Sequence, residues 1–451
     1  MNYFRLLLNL YRLRRNIQKT PTQISRLQEQ KLRKLLLFAY ENSVYYKKNF
    51  EEHGITKDKL NTTPLSDFPT LNKEQLLTHF DELVTEPDLR HEALRQFDEE
   101  NSEMDTIYLN KYHLVRSSGS TGIPRYFVYD IPAWEQMLLG ILRGGLWDVS
   151  VAKFFKWYFS NPKVLYIAAT DGRYGGVLAV GDGISGLGVK QQFLDINTPL
   201  SQWISSVMDF QPKYIIGYPS AIKILGELME TDKVQLQLNR IISCGEPLSP
   251  GLRSYLENTF NTEVVNFYGA SESLALGVEP AISDSMVLFD DLNIIEIIDG
   301  EMYLTCLYNF VQPLIRYHIS DRLVLHQKDA SDTHPFSKAD VLLSRHEDVL
   351  WFDKENGEKE FLHPLSVEGF CIEGLLDYQF VQTSTNAFEM LAELSNGALS
   401  NKIKEEIQLQ MQNILAENGL DEIEFSVRFV EQIMPDPSTG KKRLTIKMED
   451  R

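Results

Sequence analysis

Glycine and hydroxyl residues are concentrated at residues 117–122, which read Ser-Ser-Gly-Ser-Thr-Gly. Glycine lets the backbone approach a ligand closely, and successive backbone N–H groups with added hydroxyl donors form a concave site for an anion such as a triphosphate. The alternative is a flexible Ser/Gly linker. The anion site is favoured because the stretch lies between strand-like runs at 113–115 and 126–129 and is not repeated. It lacks the Gly-x-x-x-x-Gly-Lys-Ser/Thr spacing of a Walker loop.

Three further glycine turns lie where predicted parallel strands end. Helical stretches alternate with short apolar runs at 164–169, 214–216, 241–243 and 264–267. This alternation predicts a mainly parallel sheet, whose ligands bind outside the carboxyl ends of the strands. Gly217, Gly245 and Gly269 are therefore predicted to converge on one cleft.

The order of elements predicts an α/β fold in two parts. Residues 1–343 are predicted to form a large N-terminal domain with mainly parallel sheets and, after Asp291, a β-rich subdomain. Residues 344–451 are predicted to form a small, mobile α+β C-terminal domain with one helix at 400–418. At 451 residues and 43% apolar composition, the chain is long enough for two domains.

The N-terminal part is predicted to be helical. Helical spacing extends over about 25–53, and Asn72 with Gln75 predicts a capping box that opens a further helix. Residues 1–19 alternate apolar and basic residues without the cleavage site of a signal peptide. Such a helix could lie on an anionic membrane, but the favoured interpretation is that it packs on its own domain or on a partner subunit, which leaves a homodimer open.

Composition excludes several classes of function. The formal net charge is −18 and the pI is near 5.0, so the chain is a poor general binder of nucleic acid, which requires a basic face. Cys244, Cys306 and Cys371 lie far apart, which excludes a local zinc knuckle and indicates a reducing compartment. No apolar run approaches the length of a transmembrane helix, and the cytoplasm is the expected location.

Four motifs in order along the chain carry a family resemblance. They are Ser-Ser-Gly-Ser-Thr-Gly-x-Pro at 117–124, Gly-Glu-Pro-Leu-Ser at 245–249, Phe-Tyr-Gly-Ala-Ser-Glu at 267–272 and Arg-Tyr-x-x-x-Asp at 316–321. Their order and spacing resemble the acyl-adenylate-forming superfamily. Residues 32–50 and 68–76 are similar to the opening of its phenylacetate–CoA ligase-like group, which includes the CapK-type adenylating enzymes. The resemblance extends from about residue 30 to 325 and continues more weakly to the end.

This resemblance implies a reaction in two steps. A carboxylate attacks the α-phosphorus of ATP to give an acyl-AMP and pyrophosphate, and a thiol, usually that of coenzyme A, then displaces AMP. The implied cofactors are ATP, Mg²⁺ and coenzyme A. Charge neutralisation and positioning lower the barrier in such a reaction, so a Ser/His/Asp triad is not required.

The resemblance also assigns residues to the nucleotide. The loop around the β- and γ-phosphates would consist of Ser117, Ser118, Gly119, Ser120, Thr121 and Gly122. The walls of the adenine site would be Glu246, Pro247 and Tyr268, whose ring offers a stacking face. Gly245, Gly269 and Ser271 belong to the same motifs and are further nucleotide-binding candidates.

Three charged residues receive roles in the same way. Glu272 would hold Mg²⁺, a hard cation that prefers carboxylate, water and phosphate oxygens. Asp321 would accept hydrogen bonds from the ribose, and Arg316 would contact a phosphate as a catalytic residue. In isolation, each could equally be an ordinary solvated or locally paired side chain.

The C-terminal part resembles the family at two places. Residues 344–350 resemble the hinge segment, so Arg345 would contact the nucleotide and Asp348 would be the pivot, although Trp351 replaces part of the expected motif. The turn that contains Lys441 resembles the catalytic lysine loop, and the adjacent Lys442 is the alternative. An exposed basic turn is the simpler interpretation of these two lysines.

The acid pocket is predicted from aromatic residues near the strand ends. Its candidate residues are Gly217, Tyr218, Phe193 and Trp147, which would suit a flat aromatic acid. Aromatic residues such as these are also ordinary core residues.

We therefore expect an AMP-forming acid–thiol ligase that acts on a small carboxylic acid, aromatic in our interpretation, with coenzyme A as acceptor. One alternative retains adenylation but transfers the acyl group to a carrier-protein thiol, a protein or an amine. A second alternative is a nucleotide-binding scaffold without catalytic activity.

Overall fold

The fold described below is that of a computed structural model. The described residues are 3–100, 107–117, 125–147, 149–150, 162–168, 189–246, 248, 250–281, 285–319, 321–326, 334–342, 349–354, 357–363, 366–367, 370, 372, 374–394, 399–433 and 444–447.

Helices cover most of the first hundred residues. They are α1 (Tyr3–Arg14), α2 (Pro21–Asn42), α3 (Val44–Glu52), α4 (Lys73–Thr78), α5 (Phe80–Leu83) and α6 (His91–Glu100). The single helix predicted over about 25–53 is divided at Ser43, whose backbone is extended and whose hydroxyl accepts a hydrogen bond from the backbone of Tyr46 to start α3. The predicted capping box of Asn72 and Gln75 opens α4 and is confirmed.

The remaining helices are α7 (Ile131–Gly145), α8 (Leu200–Phe210), α9 (Pro219–Glu230), α10 (Pro250–Phe260) and α11 (Ser400–Glu417). The strands up to the predicted domain boundary are β1 (Ile107–Tyr108), β2 (Tyr112–Ser117), β3 (Arg125–Asp130), β4 (Lys163–Ala168), β5 (Lys190–Asp195), β6 (Tyr214–Gly217), β7 (Arg240–Cys244), β8 (Val264–Ala270), β9 (Ser273–Glu279), β10 (Met286–Leu288), β11 (Asn293–Ile298), β12 (Glu301–Cys306), β13 (Tyr317–Ile319), β14 (Arg322–Leu325) and β15 (Lys338–Leu342). Those beyond it are β16 (Leu350–Asp353), β17 (Lys359–Leu362), β18 (Leu375–Ser384), β19 (Ala387–Leu394), β20 (Glu424–Val430) and β21 (Thr445–Ile446).

The main sheet has a parallel half and an antiparallel half. Its strand order is β14-β15-β10-β9-β8-β7-β6-β4-β5. Strands β5, β4, β6, β7 and β8 pair in parallel, and the strands on the other side of β8 pair in antiparallel fashion. Two smaller antiparallel sheets, β1-β2-β3 and β11-β12-β13, accompany it. The predicted α/β fold with a β-rich part is confirmed, but the sheet is mixed rather than mainly parallel because the strands beyond β8 pair in antiparallel fashion.

Beyond the main sheet, β18 to β21 form a sheet in the order β20-β19-β18-β21, with α11 contributing Ile403, Ile407, Met411 and Leu415 to a separate core. This is the predicted small α+β part. The hairpin of β16 and β17 contributes to two cores, because Leu350 and Leu362 pack in this C-terminal core while Phe361 packs in the core around β4, β6 and β7. The predicted boundary at 343–344 lies outside the described residues.

Helix α1 packs on its own domain. Leu10 and Leu13 are buried, and α1 lies against α7. Arg14 donates hydrogen bonds of 2.8 and 2.6 Å to the carbonyl oxygens of Leu146 and Val149. The favoured interpretation of this basic segment is therefore confirmed. Among the described residues, no helix combines the length and the apolar character needed to cross a membrane.

An ion pair between Arg143 of α7 and Asp291 is completely buried. The guanidinium donates two hydrogen bonds, of 2.6 and 2.9 Å, to the two carboxylate oxygens. Asn16 donates a third, of 2.6 Å, to the same carboxylate. Burial alone would raise the pKa of Asp291, but the charge and hydrogen bonds of Arg143 lower it below its usual value. The pair connects the N-terminal helices to the sheet.

We expect Asp291→Asn to lower the free energy of unfolding by about 3–5 kcal/mol, because the variant leaves the Arg143 charge buried without its partner. Urea denaturation would measure the loss. The control, Lys402→Ala in α11, removes a solvent-exposed ion pair with Glu406 and should cost no more than about 0.5 kcal/mol. A loss in Asp291→Asn as small as that of the control would contradict the prediction.

Candidate active site

Two carboxylates and a tyrosine meet at the carboxyl end of β8. The Tyr268 hydroxyl donates a hydrogen bond of 2.7 Å to Oδ2 of Asp321. Burial raises the pKa of Tyr268 well above its usual value, and Asp321 and Glu272 add to the rise, so the phenol stays protonated. Glu272 lies two residues beyond the end of β8 and is buried. The structure thus brings together three residues that the resemblance assigned to the nucleotide and Mg²⁺.

Arg125, at the start of β3, contributes a positive charge to this cluster. Its Nη1 lies 3.2 Å from the Tyr317 hydroxyl and 3.9 Å from Oε1 of Glu272. Burial raises the pKa of Glu272; the Arg125 charge opposes this rise and the Asp321 carboxylate adds to it. Sequence reasoning did not select Arg125 as a site residue. The available signal was its place at the end of the predicted phosphate loop.

The backbone of β3 is held by side-chain amides. Gln312 Oε1 accepts a hydrogen bond of 2.7 Å from the backbone N–H of Val128, and Asn309 donates one of 2.9 Å to the carbonyl of the same residue. Gln312 also donates to the carbonyl of Tyr126. These buried amides pair with the edge of β3 that faces away from β2, and so fix the strand that begins with Arg125.

The turn that carries Glu272 is held from both sides. The Tyr129 hydroxyl donates a hydrogen bond of 2.7 Å to the backbone carbonyl of Ser271. The Ser273 hydroxyl lies 3.0 Å from Oδ1 of Asn293 and 2.8 Å from the Tyr308 hydroxyl. Buried and connected polar groups of this kind restrict the backbone, and they position the Glu272 carboxylate.

Arg316 is not brought to the cluster. Its backbone has a φ of +50°, and its buried guanidinium donates to Oε2 of Glu296 at 3.0 Å and to the carbonyl oxygens of Ser66 and Phe68. These contacts hold the start of β13 against the N-terminal segment. The structure therefore does not support the predicted phosphate contact of Arg316, and Arg125 is the arginine next to Glu272.

A second group of predicted residues lies at the ends of β6 and β7. Gly245 has a φ of +80°, and a Cβ at this position would lie 2.5 Å from the Tyr218 ring, so glycine is required. The Glu246 carboxylate accepts hydrogen bonds from the hydroxyl (2.6 Å) and the backbone N–H (3.2 Å) of Ser220 at the start of α9. His363, which was not predicted, contacts the same carboxylate at 3.2 Å.

The two other strand-end glycines have packing reasons of their own. A Cβ on Gly217 would lie 2.1 Å from the carbonyl oxygen of Ile167 in the neighbouring strand β4. A Cβ on Gly269 would lie 2.5 Å from the carbonyl oxygen of Leu274, across the turn between β8 and β9. Gly217 and Gly269 lie at the strand ends as predicted. Packing against neighbouring backbone is sufficient to explain why both are glycine, without a ligand.

The aromatic candidates for the acid pocket separate in the structure. Tyr218 is buried beside Gly245. Phe193 is partly exposed on β5 and contacts Tyr166 edge-to-face at 5.8 Å. Trp147 lies beyond the end of α7 and stacks on Phe289. Nearby, at the end of α7, the carbonyl oxygen of Gly145 accepts a hydrogen bond from Arg240, which is the first residue of β7. Trp147 therefore lies toward the amino ends of the strands, away from the other candidates.

Several predicted site residues lie outside the described residues. These are Ser118, Gly119, Ser120, Thr121, Gly122, Pro247, Arg345, Asp348, Lys441 and Lys442. Ser117 ends β2, and its backbone pairs with that of Arg125. The predicted phosphate loop thus begins at a paired strand residue, and Arg125 follows three residues after Gly122, the last residue of the loop.

The cluster fits Mg²⁺ better than a metal that requires a complete set of protein ligands. Across the described ranges, no group of three or more His, Cys, Asp or Glu side chains could hold a metal ion. Mg²⁺ is commonly bound by one or two carboxylates together with water and substrate phosphates. Glu272, with Asp321 nearby, offers hard oxygen ligands of that kind, and Arg125 adds a positive charge for an anionic ligand.

Comparison with curated proteins shows similarity along most of the chain. Protein CapK of Staphylococcus aureus is 21% identical over 450 residues, covering 93% of this chain and 88% of CapK. The phenylacetate-coenzyme A ligases of Aromatoleum evansii and Escherichia coli are 25% and 26% identical and cover 66% of this chain and 66% of their own length. The resemblance predicted from the motifs is confirmed. The relatives that are coenzyme A ligases also bear out the predicted enzyme class, the AMP-forming acid–thiol ligases.

Solved structures confirm the predicted fold. Two crystal structures of 2-hydroxyisobutyryl-CoA ligase align with 96% of the chain, with TM-scores of 0.57 and 0.59 at 16% and 14% identity. They cover 91% and 92% of the ligase. No family model matches the chain.

We expect Glu272→Gln to stabilise the folded protein at neutral pH. Because the pKa of Glu272 is raised on folding, its ionisation disfavours the folded state at pH values above the usual carboxylate range. The variant should therefore melt at a higher temperature than the wild type at pH 7. The difference should shrink as the pH falls toward the ordinary glutamate pKa of about 4.3 and vanish well below it, where the wild-type carboxyl is protonated in both states. Melting curves between pH 4 and 8 test this. A lower melting temperature for Glu272→Gln across that whole range would be incompatible with a charge that disfavours folding.

Proposed function

We propose that this protein activates a carboxylic acid with ATP to form an acyl-AMP and then transfers the acyl group to coenzyme A. The observation that carries the proposal is the meeting of Tyr268, Glu272 and Asp321 at the carboxyl end of the parallel half of the sheet. This is where ligands of such sheets bind. The motifs that hold these residues follow one another in the order found in adenylate-forming enzymes.

The roles of the cluster residues follow from their chemistry. Asp321 presents a carboxylate that accepts the Tyr268 hydrogen bond and would accept others from ribose hydroxyls. Glu272 would hold Mg²⁺, which shields the charge of the phosphates when it is bound. Arg125, between Glu272 and Tyr317, would contribute positive charge on the phosphate side. Lys441, on its long stem, is proposed to reach the reacting carboxylate and the α-phosphate.

The proposed substrate is a small acid with an aromatic ring. Support comes from Tyr218 at the strand ends and from the relatives named phenylacetate-coenzyme A ligase. Coenzyme A is the proposed acceptor because those relatives are coenzyme A ligases; a carrier-protein thiol stays the alternative. Use of ATP and coenzyme A accords with the predicted cytoplasmic location.

Acid-dependent exchange of pyrophosphate into ATP tests the first step. We expect exchange with one acid of a panel that contains benzoate, phenylacetate and octanoate. Glu272→Gln should slow that exchange about 100-fold or more, because a group that stabilises the developing charge is lost. The matched control is Glu263→Gln, which removes an exposed carboxylate paired with Arg240 at the amino end of the strands and should leave exchange unchanged. A purified protein that binds ATP but shows no exchange with the panel would contradict the proposal.

The two neighbouring lysines can be separated in the same assay. Lys441→Ala should reduce acyl-AMP formation by about 100-fold or more, because a compact charge at the reacting atoms is lost, whereas Lys442→Ala should have little effect. Acyl-AMP is measured directly by chromatography of the quenched reaction. The reverse result would assign the role to Lys442, and wild-type rates in both variants would remove the lysine from the proposed mechanism. Addition of coenzyme A to the preformed acyl-AMP then tests the acceptor.

A further inference from the structure

His363 places an imidazole from beyond the predicted hinge among the residues of the strand-end cleft. It follows β17 and is completely buried. Its Nε2 lies 2.8 Å from the Ser220 hydroxyl and 3.2 Å from Oε1 of Glu246. Its ring stacks on Tyr218 with centroids 5.7 Å apart and an interplanar angle of 28°. A single side chain thus contacts the ends of both β6 and β7.

The Tyr218 ring is held on two sides by these contacts. Gly245 leaves the space that the ring occupies on one side, since a Cβ there would lie 2.5 Å from it. His363 stacks on the ring. The orientation of the aromatic side chain predicted to face the acid therefore depends on a residue from the C-terminal part of the chain.

Glu246 is turned toward the same histidine. Burial alone would raise its pKa, but the hydrogen bond and charge of His363 and the hydrogen bonds of Ser220 lower it below the usual value, so the carboxylate is ionised. Because the Ser220 hydroxyl donates to Glu246, it is free to accept a hydrogen bond from Nε2–H of His363. This pattern does not activate Ser220 as a nucleophile, which would need its proton to pass to the imidazole.

The hairpin that carries His363 has its own contacts with the N-terminal part. Phe361 packs edge-to-face on Trp203 with centroids 5.1 Å apart. The Glu360 carboxylate accepts hydrogen bonds of 2.9 and 3.0 Å from the backbone N–H of Leu200 at the start of α8, a position that favours a negative charge. These contacts hold the hairpin of β16 and β17 against α8, and His363 is the residue directly after the hairpin.

We propose that His363 is a positioning residue for the acid side of the cleft. By stacking on Tyr218 and pairing with Ser220 and Glu246, it fixes the wall against which the acid binds. This inference rests on the proposed function. It adds to that function a residue for acid recognition that none of the motifs contains.

Two substitutions separate the contributions of His363. His363→Phe keeps a flat ring against Tyr218 and removes the hydrogen bonds, whereas His363→Gln keeps a donor near the position of Nε2 and removes the ring. In pyrophosphate exchange with the most active of benzoate, phenylacetate and octanoate, each should raise KM for the acid, by about 10-fold in His363→Phe. KM for ATP should rise less than KM for the acid, because the substitutions reach the predicted adenine site through Glu246 but leave the cluster at β8 and β3 in place. Lys359→Ala, which removes an exposed pair with Asp353 on the same hairpin, is the matched control.

The outcomes distinguish this inference from the function on which it rests. A merely structural role would lower the melting temperature and the active fraction while KM for the acid stays unchanged. An active enzyme whose KM for the acid is the same in wild type, His363→Phe and His363→Gln would overturn the role of His363 and leave the proposed function intact. A wild-type protein without acid-dependent exchange would overturn the function and this inference with it.

Discussion

The charge of Asp291 lies in the interior of the protein, and much of the surrounding structure is arranged to neutralise it. Arg143 supplies a bidentate pair, and its guanidinium also lies 4.3 Å from the centroid of the Phe289 ring. From α2, Lys31 donates to the backbone carbonyl of Asp291. A buried ion pair contributes little net stability compared with apolar residues of the same size, but it strongly disfavours arrangements in which one partner is missing. It therefore restricts how α2, α7 and the sheet can fit together.

The buried ion pair of Asp291 is connected to the candidate active site by the chain segment that follows Asp291. Asn293, two residues after Asp291, is buried and donates to the carbonyl of Ala275, while its oxygen accepts from the Ser273 hydroxyl. Ser273 is the neighbour of Glu272. Displacement of the turn at Asp291 would therefore leave buried polar groups without partners next to the carboxylate proposed to hold Mg²⁺. The hydrogen bonds around Asp291 and Asn293 therefore stabilise the fold and also position Glu272.

Local sequence patterns predicted the elements and the end of the sheet at which the cluster forms, because apolar periodicity and glycine turns are properties of short segments. Side-chain direction was less predictable. Arg316 and Tyr317 are neighbours, yet Tyr317 turns to Arg125 while Arg316 contacts Ser66 and Phe68. That choice follows from the pairing of Leu71 with Tyr317, a long-range contact that no local pattern encodes. The position of His363 is non-local in the same way, since it depends on how the hairpin of β16 and β17 packs on α8.

The electrostatics of the cluster indicate why it would bind a cation and a nucleotide. The Asp321 carboxylate is close enough to disfavour the charge of Glu272, and the charge of Arg125 partly compensates. Burial adds to the cost of the Glu272 charge, so the site with this carboxylate ionised is less stable than an uncharged one of the same shape. A divalent cation bound by Glu272 would remove this unfavourable term because it would supply positive charge beside the buried carboxylate. The anionic phosphates would then add negative charge beside the cation and Arg125 rather than beside bare carboxylates. These charges therefore favour binding of the metal together with the nucleotide over binding of the nucleotide alone.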